Sequence, residues 1–125
     1  MEYGERCEIA GLPVGVFRQD HGVMDSLGVR IGGFAYSTDV VALPEESLAA
    51  LQGLDTWVVG CFLRSGPHKV HANIDLVLAW VDVLRPRRTV LTHMGTSMDY
   101  RSLLRELPAG IEPGFDGMIL DIPTA

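Results

Sequence analysis

The chain has 125 residues and a mass of 13.6 kDa, which is enough for one domain with a buried core. It carries 10 basic and 16 acidic residues, a net charge of −6, and no stripe of Lys and Arg, so its charge argues against nucleic-acid binding. No apolar run approaches the ~18 residues of a membrane span, and residues 1–11 lack the basic and apolar regions of a signal peptide, which predicts a soluble, cytoplasmic protein.

The N-terminal part of the chain is predicted to form β-strands. Residues 12–17 alternate apolar and small side chains and run into the turn-forming segment 18–22, which predicts a strand followed by a hairpin. Residues 27–31 and 33–36 favour β structure on either side of a glycine, so we expect them to pair as neighbouring strands. Asp39 then lies just beyond the end of a strand.

A short helix and a buried strand follow. The helix is predicted to begin at Pro44, since proline suits a first turn, and to end at Gly53, with Leu48, Leu51 and Leu54 along one side. Residues 56–62 are continuously apolar, which is typical of a strand covered on both faces in a layered α/β domain.

The second half alternates helices and strands. Apolar residues at three- and four-residue spacing predict an amphipathic helix over residues 73–84, ended by Pro86. A cluster of arginines after it is interpreted as a solvated helix end that complements the helix dipole: Arg85, Arg87 and Arg88. The remaining predicted elements are a strand at 89–92, a helix at 100–107 and a final strand at 117–122, giving the order β-β-β-α-β-α-β-α-β.

Histidine and aspartate are the candidate metal ligands. Cys7 and Cys61 share no Cys-x-x-Cys spacing, so we expect reduced thiols and neither a zinc knuckle nor a redox pair. His21, Asp39 and His93 each follow an apolar strand, where open α/β folds place their chemistry. Each has an alternative role, because His21 could be an exposed turn residue, Asp39 a helix N-cap and His93 a core histidine.

His68 and His71 stand three residues apart at a predicted helix start. Helix N-termini attract anions, and an imidazole there can hydrogen-bond a phosphate or pass a proton to a leaving oxygen. Both residues could therefore face one site, or one of them could face only water.

Residues 11–122 resemble the C-terminal half of a metallo-β-lactamase-fold hydrolase, in particular the phosphoribosyl cyclic phosphate phosphodiesterases of phosphonate degradation. The resemblance lies in an ordered set of motifs: Asp20-His21-Gly22, Tyr36-Ser37-Thr38-Asp39, Leu43-Pro44-Glu45, His71, Leu91-Thr92-His93-Met94 and Phe115-Asp116-Gly117-Met118. It implies an α/β fold, namely the C-terminal half of a layered αββα sandwich spanning residues 1–125.

The resemblance also implies a site and a chemistry. His21 and His93 would be metal ligands, Asp39 a bridging carboxylate and His71 a catalytic contact to the substrate phosphate or leaving group. His68, three residues before His71, is a further candidate substrate contact from its position alone. The completed site would hold two divalent cations, zinc or manganese, and act on a small phosphoester. The family's His-x-His-x-Asp-His ligands do not occur in the 125 residues, so a complementing N-terminal half or a homo-oligomer is expected, and Gly60-Cys61 stands where relatives carry an acidic residue.

Two other classes of protein share parts of this sequence pattern. A receiver-type phospho-acceptor domain needs a lysine near its last strand, and the only lysine is Lys69, so this class is disfavoured. A non-catalytic half-domain that assembles with a partner or with itself is the stronger alternative, because half of a sandwich would leave a sheet face and an edge uncovered. We expect the apolar runs around Trp57 and Ile119 to form that uncovered surface.

Overall fold

The computed structural model describes residues 6–66 and 68–122, which form a mixed seven-stranded sheet with three helices. The strands lie side by side in chain order: β1 (Arg6–Ile9), β2 (Leu12–Asp20), β3 (Asp25–Ile31), β4 (Phe34–Ser37), β5 (Thr56–Gly60), β6 (Arg88–Thr92) and β7 (Ile111–Pro113). Strands β1 to β4 are antiparallel neighbours, whereas β4 to β7 are parallel. Parallel neighbours need a crossover connection, and the helices supply it: α1 (Glu45–Ala50), α2 (Ile74–Leu84) and α3 (Tyr100–Glu106).

The core lies between one face of the sheet and the helices. Trp57 in the central strand β5 is fully buried, and its ring centroid lies 6.2 Å from that of Trp80 in α2. Other core side chains alternate along the strands on this face and include Phe17, Ala35, Val59, Leu91 and Ile111. The architecture is therefore the layered α/β arrangement expected from the sequence. Within the described residues, no helix is both long and apolar enough to cross a membrane.

Most predicted elements are confirmed, although their ends shift. The continuous apolar segment does form a central strand, but it ends at Gly60 rather than at Phe62, and α1 ends at Ala50 before the predicted Gly53. Strand β1 was not predicted. The expectation that Trp57 is uncovered is wrong, because α2 packs over it, whereas Ile119 is 84% exposed.

The predicted final strand at 117–122 is wrong. The last strand of the sheet is β7 at residues 111–113, and the chain then leaves the sheet at Gly114, whose N–H donates to Leu91 O at 2.8 Å. Met118 and Leu120 instead line a cavity of about 380 Å³ against Val58 and Val90 on the sheet face opposite the helices. The apolar pattern of this segment thus covers the part of that sheet face around Val58 and Val90 and does not extend the sheet.

The start of α2 agrees with the prediction to within one residue, but His68 and His71 do not lie at it. Asn73 is its N-cap, with its side chain accepting a hydrogen bond from Leu76 N at 2.8 Å, so the helix begins at Ile74. His68 and His71 therefore lie in the loop before the helix and not in its first turn. An Asn side chain readily accepts from first-turn N–H groups, which explains why the helix begins directly after Asn73.

The arginine cluster after α2 is not a single solvated helix end. Only Arg85 lies there, as a left-handed C-cap whose guanidinium is 3.8 Å from Asp82. Arg87 binds both carboxylate oxygens of Asp55, at 2.8 and 3.1 Å, and this pairing lowers the pKa of Asp55 to about 2. Arg88, in β6, pairs with Glu112 in the neighbouring strand β7. Two of the three cations therefore bind carboxylates elsewhere in the chain.

Cys61 is a free, fully buried thiol, as expected. Burial raises its pKa to about 12, so the sulfur stays protonated and is a poor metal ligand or nucleophile. The side chain of Cys7 lies outside the described part of the chain.

Candidate metal centre

The strand ends meet at one edge of the sheet. Strand β2 runs antiparallel to β3, and β3 antiparallel to β4, so β2 points in the same direction as β4 and its parallel neighbours. His21 directly follows β2, Asp39 follows β4 after one intervening residue, and His93 directly follows β6. The sheet therefore brings these side chains to its carboxyl edge, as the sequence predicted.

Three side chains converge there closely enough to share a cation. His21, Asp39 and His71 each offer a ligand atom, and these atoms all lie within 4.8 Å of one another. His93, which we expected in the ligand set, is exposed and lies beside this group, with its ring centroid 4.8 Å from that of His71. Imidazole and carboxylate donors suit zinc and manganese, so the chemistry of the residues fits a divalent cation.

His21 is held in an orientation that suits a ligand. Its Nδ1 lies 2.8 Å from Val70 O, and donation of the Nδ1–H to that carbonyl leaves the Nε2 lone pair free. Gly22 makes this contact sterically accessible, because a Cβ at that position would lie 2.2 Å from Lys69 O. Gly22 also has φ +81°, a left-handed conformation that glycine adopts without cost. The glycine of the Asp-His-Gly motif thus lets the 68–71 loop approach His21.

Asp39 adopts a left-handed backbone conformation with φ 49°. Such a conformation costs a residue with a Cβ about 1 kcal/mol, although Asp and Asn tolerate it better than most. The N-cap interpretation of Asp39 is wrong, since the next helix begins at Glu45 with Pro44 before it. Backbone bonds between Asp20 and the segment 41–42, at 2.8 to 3.3 Å, tie this loop to the end of β2, so Asp39 and His21 stay close.

The loop between β5 and α2 folds back over the site. Phe62 N donates to Ala72 O at 3.0 Å, which closes the loop. The Phe62 ring lies close to three imidazoles, with centroid distances of 5.1 Å to His71, 5.5 Å to His68 and 5.7 Å to His93. His68 is exposed, and its Nδ1 accepts hydrogen bonds from Val70 N and His71 N at 3.2 Å each. His68 therefore stabilises the turn that carries His71.

The imidazole of His71 favours its neutral form. Partial burial is the main cause of its lowered pKa, the neighbouring imidazoles of His93, His21 and His68 add to the effect, and Asp39 opposes it. At neutral pH one ring nitrogen is then a hydrogen-bond donor and the other carries a free lone pair.

Three groups at the site were missed in the sequence. The sequence pattern predicted Phe62 only as the end of an apolar strand, and a side-chain pattern contains no information about the Val70 carbonyl. Gln19 could have been recognised from the sequence, because it is a polar residue two positions after Phe17, on the core-facing side of β2. In the structure Gln19 is fully buried.

The chain is similar to known proteins in sequence and in fold. Residues 1–94 match the family described as the beta-lactamase superfamily domain. A diphosphatase of the PhnP family superposes with a TM-score of 0.91 and 30% identity, over 98% of this chain and 48% of that chain.

Two further solved structures share the fold at lower identity. The metallo-β-lactamase fold protein YhfI from Bacillus subtilis has a TM-score of 0.78 and 13% identity over 94% of this chain and 53% of its own. Zn²⁺-bound PqqB from Methylobacterium extorquens has a TM-score of 0.74 and 16% identity over 98% of this chain and 55% of its own.

A curated relative, an octanoyltransferase of Porphyromonas gingivalis, is 25% identical over 112 residues, which are 89% of this chain and 23% of that protein. The chain thus spans about half the length of the solved structures and under a quarter of the curated relative. Because the family match covers residues 1–94 and the fold agrees throughout, the chain belongs to the beta-lactamase superfamily domain family and has the metallo-β-lactamase fold over about half the length of its structural neighbours.

Proposed function

We propose that this chain supplies part of a dinuclear divalent-metal site that hydrolyses a small phosphoester of the phosphodiester type. The observation that carries the proposal is the convergence of His21, Asp39 and His71 within 4.8 Å at the carboxyl edge of the sheet. Similarity to a PhnP-family diphosphatase over 98% of the chain supports hydrolysis at phosphorus as the class of reaction.

In this proposal His21 and His93 would bind metal, and Asp39 would hold two cations. The Asp39 carboxylate has two oxygens and a full negative charge, so one side chain can serve two cations. Zinc or manganese, once bound, would polarise a phosphate oxygen and lower the pKa of a coordinated water. The protein's own contribution is to fix the donors in place, and the Val70 carbonyl does so for His21.

His71 is proposed to contact the substrate. With its pKa lowered, the neutral ring can donate a hydrogen bond to a phosphate oxygen while avoiding repulsion with nearby cations. His68, at the exposed rim, would add a second contact. The same 4.8 Å spacing also makes His71 a candidate metal ligand, and the variant described in the Discussion separates the two roles.

The remaining ligands are proposed to come from an N-terminal segment carrying His-x-His-x-Asp-His, on a longer chain or a separate one. The uncovered sheet face gives it a place to bind, since Leu27 and Tyr36 point away from the helices and are 43% and 37% exposed. A cavity of about 380 Å³ beside His93 would then offer room for the organic part of a small substrate.

We expect the 125-residue chain by itself to bind zinc or manganese weakly, because His21, Asp39 and His93 provide only part of a dinuclear site. Calorimetric titration after chelator treatment, with metal analysis of the dialysed protein, measures this. His21→Ala should abolish the remaining binding, while Asp99→Asn, in the N-cap of α3, should not change it. Tight binding of two cations by a monomer would contradict the proposal.

The second candidate function is a non-catalytic assembly module, favoured by the exposed apolar side chains Ile119 and Phe115, at 84% and 54% exposure. We expect the chain to form a dimer or larger species, because burying this surface and the uncovered sheet face is favourable. Sedimentation across a concentration series tests this expectation. Ile119→Ser should weaken association, whereas Val83→Ser on the exposed side of α2 should not. A monomer at every concentration would refute it.

A further inference from the structure

Gln19 is a fully buried polar residue at a core position of β2. Its side-chain nitrogen donates to Thr38 O at 2.8 Å and to Ser26 Oγ at 3.1 Å. Its Oε1 is buried and has no hydrogen-bond partner among the described residues. A buried oxygen without a partner destabilises a protein, so a core leucine or methionine would suit stability better than this glutamine.

The bonds made by Gln19 continue to the backbone around Asp39. Ser26 accepts from Gln19 and donates its own hydroxyl hydrogen to Asp39 O at 2.8 Å. The two carbonyls held in this way, Thr38 O and Asp39 O, belong to the peptide units on either side of the Asp39 Cα. Because the backbone angles of a residue are defined by these two planes, the network holds Asp39 in its left-handed conformation with φ 49°.

That conformation decides where the Asp39 carboxylate points. The direction of the Cα–Cβ bond follows from the two peptide planes, and in this geometry the carboxylate reaches within 4.8 Å of the His21 and His71 ligand atoms. A residue with a Cβ leaves the left-handed region readily when its neighbours do not hold it there.

We propose that Gln19, acting through Ser26, is a positioning residue that aims the Asp39 carboxylate at the metal centre. The role in metal binding rests on the proposed function, whereas the hydrogen bonds that hold the Asp39 turn do not depend on it. The unpartnered Oε1 destabilises the fold, and it is present because the Gln19 amide that donates to the Asp39 turn necessarily carries an oxygen as well.

The chain offers a matched control. Thr89 is also fully buried on the same side of the sheet, and its Oγ1 also has no partner among the described residues. Within the described part of the chain, no hydrogen bond links the Thr89 side chain to the site. Gln19→Met and Thr89→Val each remove a buried unpartnered oxygen at nearly constant volume, and only the first removes donors to the Asp39 turn.

The experiment measures the Asp39 backbone and the metal affinity of the same proteins. By NMR of the metal-free chain, Gln19→Met and Ser26→Ala should shift and broaden the Thr38 to Val40 resonances and speed their amide exchange. Ser26→Thr, which keeps the hydroxyl, should restore them, and Thr89→Val should leave them unchanged. Cobalt titration followed by visible absorption should show that Gln19→Met and Ser26→Ala bind cobalt about 10- to 100-fold more weakly than the unaltered chain. Ser26→Thr and Thr89→Val should bind it as the unaltered chain does.

Unchanged Asp39 resonances in both Gln19→Met and Ser26→Ala would overturn the inference, whatever the metal result. Perturbed resonances with unchanged cobalt affinity and spectrum would overturn it as well, by showing that the turn does not aim the carboxylate. If the unaltered chain binds no cobalt, the proposed function fails, and the resonances still decide whether Gln19 and Ser26 hold the Asp39 turn.

Discussion

Asp39→Asn is expected to remove bound metal and nearly all hydrolysis from the completed site while leaving the fold intact. The amide supplies one good oxygen donor where the carboxylate supplied two and a negative charge, so it cannot bridge two cations. Loss of a residue that only orients a ligand costs about 10- to 100-fold, and loss of the bridge itself should exceed that. The fold should survive because Asn tolerates the left-handed conformation of this position, φ 49°, as well as Asp does.

The completed site can be made by combining this chain with the part of the PhnP-family diphosphatase that it does not match. Melting temperature, metal content and turnover of a phosphodiester model substrate are then measured on the same preparation. Asp99→Asn is the control, since Asp99 is a true N-cap whose side chain accepts from Ser102 N at 3.0 Å, and Asn caps about as well. Unchanged metal and turnover in Asp39→Asn would end the dinuclear interpretation.

His71→Ala in the completed site is expected to lower turnover far more than metal content. If His71 contacts the phosphate or leaving group, its loss should reduce turnover by roughly 100-fold or more, the usual range for a positioned acid–base group. Metal content should fall little, because His21, Asp39 and His93 would remain. Turnover and metal analysis on one preparation give the comparison.

His68→Asn is the informative companion variant. An Asn side chain can still accept from Val70 N and His71 N, as His68 Nδ1 does at 3.2 Å, so the turn is kept while the imidazole is removed. We expect a smaller loss of turnover than in His71→Ala. If His71→Ala instead loses the metal, and turnover falls in proportion to the fraction of sites that hold metal, His71 is a metal ligand and the proposed assignment is wrong. Its position within 4.8 Å of His21 and Asp39 permits that role.

The sequence alone was sufficient to place His21, Asp39 and His93 at strand ends, and the structure confirms those places. Strands give apolar residues a period of two along the sequence, and helices give them a period of three to four. Each of the three residues directly follows such a pattern or lies within two residues of its end. The same patterns predicted the buried central strand and α2, because burial on both faces or on one stripe can be read from neighbouring residues.

Only the tertiary structure decided which groups meet. His21 and Val70 are 49 residues apart, and their 2.8 Å contact depends on a loop closed between Phe62 and Ala72. The Gln19 network joins side chains and carbonyls 7 and 19 residues apart. Local periodicity carries no information about such distant pairs, which explains why the strand ends could be predicted from the sequence while the positioning of His21, Asp39 and His71 around one point could not.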